Sequence, residues 1–103
     1  LEDYVDAIDD LVERVGIDHV GIGTDFCQDQ PYSFFEYLFA QQGTLIRSMP
    51  ISIPDPHYHP KGFEGPDQMP AVSQELMRRG YSSEDTAKVL GGNFLRLFRE
   101  VMG

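Results

Sequence analysis

Asp25 closes a short apolar run, Val20-Gly21-Ile22-Gly23-Thr24, and stands where that apolar character stops. Residues at the C-terminal ends of parallel strands line the ligand crevice of α/β proteins, so this carboxylate is the first candidate for chemistry. The competing reading is a turn or cap residue that accepts backbone N–H bonds after a strand. His57 and His59 are one residue apart, a spacing that metal sites use. They are flanked by Pro56 and Pro60, follow no strand pattern and have no third ligand nearby, so an exposed loop is the preferred reading. A substrate-facing role comes second and zinc ligation third. Cys27 would need a histidine partner to act as a nucleophile, and the sequence does not place one; it reads as a small buried or half-buried residue. His19, placed inside the expected strand that this run belongs to, reads as a packed residue facing opposite to Val20. No residue of the chain is assigned as a metal ligand.

The elements that must position Asp25 begin with an amphipathic helix. Leu1, Val5, Ile8, Leu11, Val12 and Val15 recur at helical spacing with Asp and Glu between them, and Gly16 is placed to stop that helix. Val20 and Ile22 alternate with glycines, which predicts a buried strand with something packed close to its backbone. A helix, a tight glycine turn and a buried strand form half of a βα repeat.

Residues 27–32 read as a loop. Ser33 to Gln42 carries Phe34, Phe35, Tyr37, Leu38 and Phe39 and predicts a short aromatic helix ending at Gly43. Prolines at 50, 54, 56, 60, 66 and 70, with Gly62 and Gly65, exclude a regular helix from Ser48 to Pro70. Long loops of this kind inside compact domains are often binding loops or lids. Helical spacing returns with Met69, Val72, Leu76 and Met77, followed by Arg78 and Arg79 at the negative end of the dipole. Ser82 should cap a short helix, with Asp85 at the capping-box position. Asn93 should cap a last helix with a Phe94, Leu97, Phe98 and Val101 stripe. Arg96 and Arg99 read as solvated or salt-bridged. These three helices are expected to form a closing layer.

The chain has 103 residues, and 41% are hydrophobic, enough for a core rather than disorder. Seventeen acidic residues against eight Lys and Arg give a formal charge of −9, which argues against nucleic acid or anionic membrane as a partner. No apolar run approaches a membrane span, and no signal-peptide pattern opens the chain, leaving cytoplasmic and exported locations equally open. The opening on Leu1-Glu2-Asp3, already within a helical pattern, suggests a piece of a longer protein. The single cysteine excludes an internal disulfide.

Two blocks together resemble the membrane (renal) dipeptidase family of zinc metallopeptidases. The run Gly16-Ile17-Asp18-His19-Val20-Gly21-Ile22-Gly23-Thr24-Asp25-Phe26 resembles its last barrel strand. The second block, similar to the family's C-terminal end, begins with Lys61-Gly62-Phe63-Glu64-Gly65-Pro66-Asp67-Gln68-Met69-Pro70. It continues in Glu75-Leu76-Met77-Arg78-Arg79-Gly80-Tyr81-Ser82 and Leu90-Gly91-Gly92-Asn93-Phe94-Leu95-Arg96. The resemblance implies a (β/α)8 barrel enzyme that hydrolyses dipeptides at a two-zinc site, where a bridging hydroxide attacks the carbonyl that the metals polarise. It also implies that the metal ligands, a His-x-Asp pair, a bridging Glu and two later His, lie outside this chain, which alone should bind no zinc. Asp25 matches the family's Asp after strand eight, beside the metals and the substrate's amino end. A carboxylate near two cations keeps its charge, which suits a base or an acceptor for the substrate ammonium. After Phe26 the chain departs from the family's Asp-Gly with Cys27-Gln28, which leaves substrate range open.

The expected fold class is therefore α/β: the C-terminal part of an amidohydrolase-like TIM-type barrel, mostly helical with one short buried strand. Residues 1–26 would supply a helix and the last barrel strand, 27–68 a loop insertion with a short aromatic helix, and 69–103 the C-terminal helices. Asp25 is the expected catalytic and substrate-binding residue of a zinc-dependent dipeptidase. The expected partners are a dipeptide and the rest of the barrel, with a homo-oligomer left open and no nucleic acid. Alone, the 103 residues should be inactive and should associate through the strand edge or the aromatic helix. The alternatives are a non-catalytic module that keeps the segment for packing, and another amidohydrolase-type reaction such as lactone or acyl-amide hydrolysis.

Overall fold

The acidic, amphipathic start of the chain folds as its periodicity requires. In the computed structural model, which describes residues 1–24, 26, 30, 31, 33, 34, 37 and 59–103, α1 spans Glu2–Val15. Gly16 ends it at φ 88°, a left-handed value that favours glycine, and its N–H donates to the carbonyl of Val12. A single 3₁₀ turn, Ile17–His19, follows. The second half runs through a 3₁₀ turn at Pro66–Gln68 into α2, Met69–Arg78, then α3, Ser83–Ala87. A π turn over Lys88–Gly92 leads into α4, Asn93–Met102.

The chain divides into two compact units, Leu1–Thr24 with Pro60–Gly103, and Asp25–His59. In the first, the core consists of Val5 and Ile8 from α1, Val20, Phe63, Val72 and Leu76 from α2, and Val89. Phe63 meets the edge of Tyr4 at 4.8 Å between ring centroids. Burial of about 25 cal/mol per Å² of apolar surface is what holds α1 and α2 together. In the second unit, Ser33, Phe34 and Tyr37 are helical, and the N–H of Phe34 donates to the carbonyl of Pro31. The rest of the expected aromatic helix, and the proline-rich stretch up to residue 58, lie outside the described residues.

Three expectations change. No strand forms among the described residues. Val20 is extended, at φ −110° and ψ 135°, and 3% exposed, yet its carbonyl is taken by the side chain of Asn93 instead of a neighbouring strand. A strand needs a paired backbone, and an extended run without one stays irregular. His19 sits in the 3₁₀ turn and is exposed, not packed within a strand. The stripe of α4 does have helical spacing, but Phe94, Leu97, Phe98 and Val101 are all exposed, and the buried residue of α4 is the polar Asn93.

Charges add a second link between the two helices that the apolar core joins. Arg79 donates through Nη1 to Asp6 and Asp9 of α1, both at 2.6 Å, and through Nε to Glu75 at 2.9 Å. The Tyr81 hydroxyl donates to the other oxygen of Asp9 at 2.5 Å. Hydrogen bonds from Arg78 and Arg79 pull the Glu75 carboxyl down to about 2. Burial pushes Asp9 up, but the bonds from Tyr81 and Arg79 outweigh it and leave the carboxyl below its ordinary value. Burial and Asp9 push Tyr81 up to about 12.

A carboxyl depressed in the folded state binds its proton later than in the unfolded chain. The stabilisation from Glu75 is therefore complete above its ordinary value of 4.5 and is lost as pH falls through about 2. Urea midpoints measured from pH 6 to 2 should fall across that window, and Arg79→Leu should both lower the midpoint at pH 6 and flatten the fall. Arg79→Lys should recover only part of it, because one ammonium cannot reproduce a fork shared among three carboxylates.

At α3 the expected cap forms: the Ser82 side chain accepts the N–H of Asp85 at 3.0 Å. Ser82→Ala should cost about 1 kcal/mol in thermal unfolding, and Ser82→Asp should cost little.

Candidate functional site

Asp25, the expected catalytic and substrate-binding residue, lies outside the described residues, as do Cys27 and His57. His59 is described, and its ring stands edge-on to Phe26 at 4.7 Å. The described part of the candidate site is the stretch that leads into Asp25 and the helix that holds it.

That stretch is held at three main-chain carbonyls by α4. Asn93 Nδ2 donates to Ile17 at 2.7 Å and to Val20 at 2.8 Å. Arg96 Nη2 donates to Asp18 at 2.6 Å, and Arg96 Nη1 donates to Asn93 Oδ1 at 3.3 Å. The Asp18 side chain pairs with Lys88 at 2.9 Å, and this hydrogen bond lowers the Asp18 carboxyl and raises the Lys88 ammonium. One residue further on, Phe94 packs directly over Gly21, where a Cβ would meet the ring. The close approach foreseen from the alternating glycines is therefore real at Gly21, and its partner is Phe94 rather than a second strand. Between the turn and α4 lies a groove of about 180 Å³, bounded by Asp18, Gly21, Phe94, Arg96 and Leu97.

Sequence reasoning took Asn93 for a helix cap, and this is corrected. Its side chain makes no capping bond; it is 7% exposed and serves residues more than seventy positions away. The available signal was a polar residue standing directly after Gly91-Gly92, one position before the apolar Phe94. Arg96 fits its expected solvated or bridged character in part, being 3.7 Å from Glu100 as well as bonded to Asp18.

Among the described residues, no three His, Cys, Asp or Glu side chains stand together in a way that could hold a metal. The acidic groups that do converge, Asp6, Asp9 and Glu75, are committed to Arg79. Among the described residues no helix is long and apolar enough to cross a membrane.

Residues 54–102 match the family model described as membrane dipeptidase (Peptidase family M19). Across nearly the whole chain the similarity is to dipeptidases. Dipeptidase tcpJ of Claviceps purpurea is 29% identical over 101 residues, 98% of this chain and 17% of that protein. Dipeptidase aclJ of Aspergillus oryzae is 31% identical over 102 residues, 98% of this chain and 18% of that protein. Dipeptidase 3 of Rattus norvegicus is 43% identical over 42 residues, 41% of this chain and 9% of that protein. The chain is thus related, at modest identity, to the membrane dipeptidase family. It spans less than a fifth of the length of these relatives. No solved structure matches it significantly.

Proposed function

We propose that the protein carrying this segment hydrolyses dipeptides, and that Asp25 receives the substrate's ammonium or moves a proton in that reaction. The observation that carries the reading is the similarity to dipeptidases over 98% of the chain. In its finer form the reading has two zinc ions polarising the substrate carbonyl, held by residues of the protein outside this chain. The finer reading also makes this chain the last strand and closing helices of a TIM-type barrel. The exposed stripe of α4 supports that reading, since Phe94, Leu97 and Phe98 are apolar and 43–53% exposed. A second copy of the chain is the other occupant that this stripe would accept.

The test is a substrate comparison on the complete protein: alanylalanine, its N-acetylated form and a simple lactone. Cleavage of the free dipeptide with the acetylated form refused is the expected result, because acetylation removes the ammonium that a carboxylate would hold. Cleavage of the lactone or the blocked amide alone would point to another amidohydrolase-type reaction. Cleavage of none of them, with metal supplied, would favour a packing module.

A further inference from the structure

The first compact unit is assembled from two arms of the chain, Leu1–Thr24 and Pro60–Gly103, with Asp25–His59 between them as a unit of its own. One apolar core is shared by both arms. Val5, Ile8 and Val20 of the first arm are buried along with Phe63, Val72 and Leu76 of the second, so parting the arms would return both halves of that core to water. Polar bonds then fix a single register for the seam. Arg79 of the second arm donates to Asp6 and Asp9 of the first, both at 2.6 Å. Asn93 donates to the carbonyls of Ile17 and Val20 at 2.7 and 2.8 Å. An arm that slid or rotated against the other could not keep both sets.

We infer that residues 60–103 form a docking surface for residues 1–24 that needs no covalent connection, so that a protein broken inside Asp25–His59 stays together through this seam. A tether of about 35 residues does little by comparison. It raises the effective concentration of one arm near the other to roughly the millimolar range, and the cost of closing such a loop grows only slowly with its length. A seam that carries both halves of a core holds at far lower concentrations. Near the two ends of the tether, Phe26 and His59 also meet, with ring centroids 4.7 Å apart, and a break between them leaves that pair in place.

The test divides the complete protein between Gly43 and Thr44 and produces it as two co-expressed chains, with an affinity tag on the second only. The first chain should co-purify with the second in equal amount, and the pair should unfold in a single urea transition whose midpoint rises with protein concentration. Arg79→Leu should lower that midpoint and weaken the pairing about tenfold or more, as expected for the loss of a charge-assisted bond. Where Arg79→Leu keeps even the undivided protein from folding, Val72→Ala takes its place, since it loosens the same seam without touching a charge. Failure of the two chains to co-purify would overturn the inference. So would pairing that these substitutions leave unchanged, because the second chain would then be held by something other than this seam. Hydrolysis is not read in this experiment, so its outcome is independent of the proposed function.

Discussion

Replacing Asp25 by Asn should reduce dipeptide turnover by about a hundredfold or more in the complete protein, without changing its thermal unfolding. The size follows from what the carboxylate would do. A positioned acid or base is worth roughly 10²–10⁴ in rate, and an amide of the same shape can neither carry the proton nor hold the ammonium by charge. The unchanged stability follows from position, since Asp25 stands where the apolar run of 20–23 has ended and its bland alternative is a turn residue whose bonds an amide largely keeps. Steady-state rates on alanylalanine, with unfolding followed by circular dichroism, separate these effects. Full turnover by Asp25→Asn would remove the residue from the mechanism.

Phe63→Ala should be the most damaging substitution in the core, costing about 3–5 kcal/mol. Phe63 is 1% exposed and stacks edge-on against Tyr4 of α1, and its N–H donates to the carbonyl of Pro60. Truncation leaves a cavity between the start of α1 and the turn leading to α2, where close packing allows only partial collapse. Denaturant unfolding of the variant should show a lower midpoint at an unchanged slope. A midpoint near that of the wild type would mean that the 60–65 turn does not belong to the core. Phe63→Leu should recover part of the loss, because it refills part of the volume.

The two residues show how unevenly the sequence could be read. α1, its glycine stop and the Ser82 cap were legible because each is a local rule acting within a few residues. Phe63 was not. It lies in a proline- and glycine-rich stretch that reads as loop, and only tertiary packing makes it one of the most buried side chains. The same holds for Arg79, which looked like a dipole partner at a helix end and instead joins α2 to Asp6 and Asp9 of α1. Nothing local marks a charge pair across seventy residues. The strand expected at 20–23 is not shown among the described residues. Its pattern was right for a buried extended run, and Val20 is buried and extended, but pairing depends on neighbours that the pattern does not contain. Among the described residues that backbone is held by Asn93 instead. For the α4 stripe, periodicity revealed the face but not what covers it.

The most direct measurement compares alanylalanine hydrolysis by the complete protein with hydrolysis by the isolated 103-residue chain, both supplied with zinc. The expected result is turnover by the complete protein and none by the chain alone. Absence of turnover in the complete protein, or full turnover by the isolated chain, would contradict the account.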